Sequence, residues 1–330
     1  MTGRTQTTII SLELSMESDI EETTHDFFPF FRVCKDGHID RYILTTQVPA
    51  GVDPFTGVHT KDIVISKHPK ISGRMFLPRL DDTDSEDDSP KNRSLPKNRI
   101  LPLLVHYHGG GFCTGSAFGP IIKQFLSNIV SMTQVVAITI DYRLAPENPL
   151  PIAYEDSWDA FKWIASHVDR TGPEPWLNDY VDFNRVILTG ESTGATLAHD
   201  VAIRGSVEHL KGLNLVSLLA IHPYFCTKYQ REPVVNYIYP SRDEEPRLNP
   251  NTDPRLYKLA CDKVLICVAE KDRYKERGFD YYDTLETRWE GKVELVETLG
   301  EGHCFHLLDA GSPNIDPLMA KLVSFIKEDS

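Results

Sequence analysis

Six short apolar runs, separated by stretches with helical spacing, fill the chain from residue 103 onward. The runs are LLVHY (103–107), VVAITID (135–141), RVILTG (185–190), LVSLLAIH (215–222), KVLICVAE (263–270) and the weaker KVELVE (292–297). Strands that are apolar on both faces, alternating with helices, are typical of a parallel sheet covered on each side. The pattern predicts an α/β fold whose central sheet is mostly parallel. In such sheets ligands bind beyond the carboxyl ends of the strands.

The part of the chain before these runs has a different character. Residues 1–26 are predicted to be a flexible terminus, and the rest of the chain, 27–330, a single domain. Short β-rich pieces between Pro/Gly turns predict hairpins from residue 27 to residue 80. The segment 81–97 is acidic first and basic after, and it has no apolar residues to bury. We therefore expect a mobile surface loop there.

The composition of the chain indicates which binding partners and which cellular compartment to expect. The 330 residues carry a net charge of −13 without any run of Lys or Arg, which argues against nucleic acid or an anionic membrane surface as the main partner. The six cysteines have no C-x-x-C spacing, so neither a zinc ribbon nor a disulfide framework is indicated. The first 22 residues fit neither a signal peptide nor a spanning helix. We expect a cytosolic protein.

A serine nucleophile is indicated by Gly190-Glu191-Ser192-Thr193-Gly194, which fits G-x-S-x-G between an apolar strand and a helix-forming stretch. The flanking glycines permit the tight strand-to-helix turn that exposes the serine hydroxyl. In that context we interpret Ser192 as a nucleophile rather than as part of a structural turn.

The serine needs a base, which in this strand-turn-helix arrangement follows it in the chain. Five histidines follow Ser192. His199 and His209 lie along the helix after the turn and should not bend back, and His222 precedes the acids that come next. His303 lies in a Gly-rich turn and is free to project, whereas His306 begins an apolar helix-like run and is predicted to be a packing residue.

The acid that orients the base should end the strand before it. KVLICVAEKDRY places Asp272 just past its apolar stretch, with Glu270 as the weaker candidate. The sequence therefore predicts a catalytic triad of Ser192, Asp272 and His303.

Three consecutive glycines follow the first apolar run, in LPLLVHYHGGGFCTGSAF. Attack on an ester carbonyl creates an oxyanion, which requires preorganised donors. The predicted oxyanion hole consists of three backbone N–H groups: those of Gly110 and Gly111 and that of Thr193, the residue after the nucleophile. His106 and His108 lack a third ligand for a metal, and His108 is expected to brace this loop through a hydrogen bond.

Five motifs in order, HGGGF (108–112), DYRLAPENPLPIAYED (141–156), GESTGA (190–195), VAEKDRYKERG (268–278) and GEGHCFHL (300–307), resemble the plant carboxylesterases of the hormone-sensitive-lipase type. The resemblance runs from about residue 30 to the C terminus. It implies an α/β-hydrolase fold, no cofactor and an N-terminal cap over the pocket, with cap elements at about 27–60 and 225–258. No metal is expected.

Departures from the family pattern keep other functions open. The family usually has Asp at Glu191, often Ala at Thr193 and commonly Asn at Thr196. GFC, SAF and STGA look most like the offshoot that cyclises monoterpene indole alkaloid skeletons. That resemblance implies an incomplete triad, whereas this chain keeps His303. The expected substrate is a plant specialised metabolite such as an indole alkaloid ester, hydrolysed with or without decarboxylation of the released acid. The alternatives are a lyase or cyclase of alkaloid biosynthesis that uses the same pocket and a non-catalytic hormone receptor.

The predicted reaction is hydrolysis of a hydrophobic small-molecule ester, by a monomer or a homodimer. Apolar walls are expected around the triad, formed by Phe112, Cys113, Tyr224, Cys304, Phe305 and cap residues 27–31.

Overall fold

The structure is a computed structural model that describes residues 23–79, 99–226, 232–239 and 246–328. The predicted mobile loop 81–97 and residues 1–22 lie outside the described residues. The expected flexible terminus ends too late, because residues 23–26 belong to a strand. None of the described helices is both long and apolar enough to span a bilayer.

Eleven strands occur in the described residues, and eight of them form one sheet. The strands are β1 (Thr23–Phe27), β2 (Phe31–Cys34), β3 (Ile39–Arg41), β4 (His59–Lys67), β5 (Lys70–Leu77), β6 (Leu101–Tyr107), β7 (Val136–Asp141), β8 (Val181–Glu191), β9 (Leu215–Ile221), β10 (Lys263–Ala269) and β11 (Lys292–Thr298). The large sheet has the order β11-β10-β9-β8-β6-β7-β5-β4. Six neighbouring strands, from β11 to β7, run parallel. The predicted α/β fold with a mostly parallel sheet is confirmed.

The described α-helices follow the strands in the expected alternation. They are α1 (Pro120–Thr133), α2 (Ile152–Ala165), α3 (Pro175–Tyr180), α4 (Thr193–Glu208), α5 (Pro233–Ile238), α6 (Lys275–Arg288), α7 (Phe305–Leu308) and α8 (Ile315–Lys327). Strand β6 is buried along its whole length. Its Leu103 and Val105 belong to a core shared with α2 and α4, whereas Leu104 belongs to a second core with α1 and α8. Burial of both faces explains why the strand is apolar at consecutive positions.

The hairpins expected before residue 80 form two separate structures. Strands β4 and β5 are an antiparallel hairpin that extends the large sheet, since β5 pairs antiparallel with β7. Strands β1, β2 and β3 form a small antiparallel sheet of their own. The ring of Phe27 in β1 lies 4.8 Å from that of Tyr237 in α5. Two segments of the predicted cap, far apart in sequence, therefore contact each other.

Candidate active site

Ser192 occupies the turn between β8 and α4 in a strained conformation, with φ 54° and ψ −122°. The turn closes only because the residues beside it are small. A Cβ on Gly194 would lie 2.0 Å from the carbonyl oxygen of Tyr107, and one on Gly190 would lie 2.4 Å from Gly194. Such backbone strain is characteristic of functional turns that are held by their surroundings. The glycines of G-x-S-x-G are thus required by packing against β6.

The three residues of the predicted triad lie together at the carboxyl edge of the sheet. His303 Nε2 is 2.9 Å from Ser192 Oγ, and His303 Nδ1 is 2.7 Å from Asp272 Oδ2. An ionised carboxylate only accepts hydrogen bonds, so Nδ1 carries the ring proton. This tautomer leaves Nε2 free to accept the hydrogen bond that the serine hydroxyl donates.

The environment of Asp272 keeps that carboxylate ionised. Its side chain is almost completely buried, whereas a quarter of the His303 side chain is exposed. Burial raises the pKa of Asp272, but hydrogen bonds from His303 and from the amide of Tyr274 outweigh it, and the net pKa is lowered. The negative charge is therefore available to hold the imidazole in place and to stabilise it when it becomes protonated.

The alternative acid and base candidates are engaged elsewhere. The carboxylate of Glu270 accepts a hydrogen bond from the amide of Gly300. His199 is buried with Nδ1 2.8 Å from the Tyr281 hydroxyl, and His209 ends α4.

Two further histidines lie behind the triad. His222 accepts a 2.7 Å hydrogen bond from the amide of Cys304 through Nδ1. His306 is buried, and neither of its ring nitrogens has a partner among the described residues. Burial, followed by the charges of His303 and His106, lowers its pKa to about 3, which fits the packing role predicted for it.

The glycine loop after β6 lies beside the nucleophile. A Cβ on Gly109 would be 3.2 Å from Ser192 Cβ. Gly110 and Gly111 both adopt positive φ, 112° and 66°, which glycine tolerates without strain. Among the described residues, neither glycine's amide donates to a protein acceptor. These two N–H groups and that of Thr193, at the start of α4, stay the predicted oxyanion hole.

Glu191, which the sequence analysis singled out only as a departure from the family, anchors this loop. Its Oε1 accepts a 2.7 Å hydrogen bond from the Gly109 amide. Its Oε2 lies 2.8 Å from His106 Nε2, and the other nitrogen of His106 lies 2.9 Å from Thr139 Oγ1. In the sequence, the position of Glu191 next to Ser192 was the signal that it could matter. The sequence does not indicate that its hydrogen-bond partner is Gly109, 82 residues earlier in the chain.

His108 braces the loop by a different route. Its Nδ1 lies 2.8 Å from the Gly109 carbonyl oxygen, and its ring stacks on Tyr142 with centroids 4.4 Å apart. Tyr142 also donates a 2.7 Å hydrogen bond to the His108 carbonyl. Burial lowers the pKa of His108, so a neutral ring whose Nδ1–H donates to Gly109 is favoured.

A cavity of about 560 Å³ opens above Ser192 and His303. Two of the five residues predicted for its walls, Tyr224 and Cys304, do line it. So do Pro29 and Phe30 of the cap. Much of the remaining lining is apolar and comprises Ile43, Leu44, Ile121, Ile122, Val234, Val235, Leu307 and Leu308.

The prediction was wrong for Phe112, Cys113 and Phe305, which do not line the cavity. Phe112 has φ 63° and is buried with its ring 5.7 Å from that of Tyr154. The Cys113 thiol is buried and donates to the Gly111 carbonyl. Phe305 begins α7 and belongs to the core beneath the sheet with α1 and α8. Each of the three residues has a positive φ or follows a residue that has one. The direction of its side chain therefore cannot be predicted from the alternation of sides along a strand.

A network of polar groups supports the wall formed by Tyr224. Its hydroxyl donates to Glu232, and Glu232 forms an ion pair of 2.6 Å with Arg277. Thr196, where the family commonly has Asn, donates its hydroxyl hydrogen bond to the Tyr224 carbonyl. Thr196 therefore supports the part of the pocket wall that Tyr224 forms.

One group within the described residues has metal-ligand chemistry: His222, His303 and Cys304 have donor atoms within 4.8 Å of one another. Both nitrogens of His303 are engaged by Ser192 and Asp272, and Nδ1 of His222 by Cys304. The group is thus committed to the triad and its support.

Comparisons with known proteins agree with this geometry. Residues 104–307 match a family model described as the alpha/beta hydrolase fold. The chain is 38% identical to a 2-hydroxyisoflavanone dehydratase of Glycyrrhiza echinata, over 93% of this chain and 97% of the relative. It is also 38% identical to probable carboxylesterase 1 of Arabidopsis thaliana, over 94% and 99%.

Solved structures resemble the chain in fold. An esterase of Pyrobaculum calidifontis aligns with a TM-score of 0.65 at 24% identity, over 82% of this chain and 85% of that one. A thermostable carboxylesterase from a metagenomic library aligns with a TM-score of 0.66 at 23% identity, over 87% and 92%.

Proposed function

The chain belongs to the α/β-hydrolase fold family, among the plant carboxylesterases of the hormone-sensitive-lipase type, and we propose that it is a serine carboxylesterase acting on a hydrophobic small-molecule ester. One observation carries the proposal. The hydrogen-bonded series Ser192–His303–Asp272 lies at the base of a largely apolar cavity.

Acylation uses each of these groups. His303 Nε2 takes the proton of Ser192 as Oγ bonds to the ester carbonyl carbon, and Asp272 stabilises the resulting imidazolium. The amides of Gly110, Gly111 and Thr193 bind the oxyanion; one such donor is worth roughly 3–4 kcal/mol of barrier. When the carbon–oxygen bond to the alcohol breaks, His303 gives its proton to the leaving oxygen.

Deacylation repeats the sequence with water. His303 removes a proton from the water molecule, whose oxygen bonds to the acyl carbon, and the second tetrahedral intermediate expels Ser192 Oγ. The serine recovers its proton from His303, so one water is consumed and one acid and one alcohol are formed.

The substrate class follows from the walls of the cavity. Apolar side chains favour a hydrophobic acyl or alcohol group. The more specific candidate is an indole alkaloid bearing a methyl or acetyl ester, with or without decarboxylation of the released acid. Its support is the similarity of GFC, SAF and STGA to the alkaloid-cyclising offshoot.

A lyase is the second candidate, favoured by the similarity to a relative named 2-hydroxyisoflavanone dehydratase. In that case His303 would move a proton within the substrate and no acyl-enzyme would form. A receptor is less favoured, because a pocket that only binds has no use for the proton path between Ser192 and His303.

The test is turnover in H₂¹⁸O. Hydrolysis through an acyl-enzyme places ¹⁸O in the released acid and requires Ser192, whereas elimination places none. Side-by-side kcat/KM values for 4-nitrophenyl acetate and an indole alkaloid ester test the finer candidate, because a roomy apolar pocket gains transition-state contacts from the larger substrate. Equal or better turnover of the acetate contradicts the alkaloid candidate alone. Absence of ¹⁸O-labelled acid from every ester contradicts the carboxylesterase.

A further inference from the structure

Two cationic side chains flank the acid of the triad at the opening of the cavity. After β10 ends, Asp272 points inward and is buried, while Lys271 and Arg273 on either side of it are exposed. Both also line the cavity. The same turn that delivers the catalytic carboxylate thus delivers two positive charges to the rim.

Neither cation forms an ion pair with a carboxylate in the described part of the chain. The Arg273 guanidinium donates to the Tyr274 hydroxyl and lies 4.6 Å from the centre of that ring. Glu301 has its Oε1 engaged by Ser312 and Asn314, at 2.6 Å and 2.7 Å. The Lys271 amide donates a 2.8 Å hydrogen bond to the Glu301 carbonyl, and its ammonium charge is the smallest of the influences that lower the pKa of the Glu301 carboxyl.

The two acids that line the cavity are, by contrast, both engaged. Glu232 pairs with Arg277 at 2.6 Å. Glu191 is held by His106 and by the amide of Gly109. Both cavity carboxylates thus have partners, whereas neither rim cation has a carboxylate partner within the described residues.

Of the two rim cations, Arg273 is linked by ring contacts to the reacting groups. Two successive contacts separate the Arg273 guanidinium from the imidazole of His303: 4.6 Å to the Tyr274 ring, then 5.1 Å from that ring to the ring of His303. This is the reach of a substrate a few carbon atoms long.

We propose that Lys271 and Arg273 form an anion subsite that binds a carboxylate at the end of the substrate remote from the scissile ester. The inference rests on the proposed function and narrows its substrate to an ester that carries a carboxylate on its acyl or its alcohol part. Arg suits this role, because its planar guanidinium binds carboxylates through two parallel hydrogen bonds. The carboxylate takes no part in the bond changes. A substrate with a protonated amine at that end would be repelled, which weighs against the alkaloid candidate.

The experiment compares matched esters that differ in one charge. For the acyl side, the pair is 4-nitrophenyl hexanoate and mono-4-nitrophenyl adipate. For the alcohol side, it is methyl 4-acetoxybenzoate and 4-acetoxybenzoate. The readout is the ratio of kcat/KM for the anionic ester to that for its neutral partner. Variants are Lys271→Gln, Arg273→Gln, the double variant and the conservative Arg273→Lys. Lys258→Gln is the control, because it removes an exposed positive charge that does not line this cavity.

We expect the double variant to lower the ratio about fivefold or more in at least one pair, in keeping with exposed ion pairs. Arg273→Lys should retain part of the preference, and Lys258→Gln should leave it unchanged. Raising the salt from ~0.05 M to ~0.5 M should reduce the wild-type ratio, because exposed charges are screened. Because the readout is a ratio, any change in kcat/KM that a variant causes for both esters alike cancels.

Ratios that stay at the wild-type value in the double variant for both pairs would overturn the subsite while leaving the carboxylesterase intact. A fall that Lys258→Gln reproduces would also overturn it, because overall charge would then be the cause. Failure of the wild type to hydrolyse either neutral ester would instead overturn the proposed function.

Discussion

His303 and His306 stand three residues apart, yet they belong to two different regions of the molecule. His303 lies in the loop at the carboxyl edge of the sheet, partly exposed, and both its nitrogens have partners, Ser192 and Asp272. His306 lies in α7 with its ring 5.4 Å from that of Phe125, and neither nitrogen has a partner among the described residues. A histidine that exchanges protons needs neighbours that give and accept them, whereas one that fills a core needs only to remain neutral.

The comparison predicts that some substitutions lower the reaction rate and others lower the stability of the fold. Substitution of the nucleophile should lower the rate most. Ser192→Ala is expected to lower kcat for ester hydrolysis on the order of 10⁴-fold to 10⁶-fold. Its thermal midpoint should stay near that of the wild type, because the hydroxyl contributes to the reaction and little to packing. Steady-state kinetics and thermal unfolding measure the two quantities. A variant that keeps more than a tenth of the activity would remove Ser192 from its role.

The two histidines should respond in opposite ways. His303→Ala should lower kcat about 10⁴-fold with little change in stability. His306→Ala should lower the free energy of unfolding by roughly 1–3 kcal/mol, because it leaves a cavity in the core, and should change kcat little. Denaturant unfolding and kinetics on both variants give the comparison. A stable, inactive His306 variant beside an active His303 variant would reverse the assignment.

Glu191 combines features of the catalytic loop and of the core. It is buried like a core residue, and its carboxylate holds the glycine loop after β6. Glu191→Ala should lower kcat roughly 10²-fold by releasing the Gly109 amide, and should destabilise the fold by a few kcal/mol, about the cost of breaking a buried pair.

Glu191→Gln is the matched control for that variant. Its carbonyl can still accept from Gly109 and its amide can donate to a ring nitrogen of His106, so we expect kcat within about tenfold of the wild type. Equal losses in the two variants would mean that charge, rather than anchoring, is what Glu191 supplies.

A further expected effect concerns only the acid stability of the core. His306 has a pKa of about 3 when folded, and an ordinary value of about 6.5 when unfolded. Between these values the unfolded chain binds the extra proton, so the contribution of His306 is full above about pH 6.5 and is lost as the pH falls. His306→Phe keeps a ring without the titration. Stability measured from pH 7 to pH 4 should then fall less steeply, by at most ~1.4 kcal/mol per pH unit. Identical slopes would show that His306 is already charged or exposed in the fold.

Much of the site could be predicted because its signals are local. Apolar runs identified the strands, and G-x-S-x-G together with the chain order of acid and base led to Ser192, Asp272 and His303, which the structure brings within hydrogen-bonding distance. The pocket walls were harder. Phe112 has a positive φ, and so does Cys304, the residue before the misplaced Phe305. At such turns the direction of a side chain depends on the backbone path rather than on sequence spacing.

Local patterns in the chain specify which segments become buried strands and which residues can do chemistry at their ends, because periodicity and turn residues act over a few neighbouring positions. Which strand ends meet depends on tertiary packing. Tyr107 of β6 lies opposite Gly190 of β8 in the sheet, and that register places the glycine loop beside Ser192 and lets Glu191 reach Gly109. Register is fixed by the packing of both faces of the sheet at once, and no local pattern in the chain contains that information.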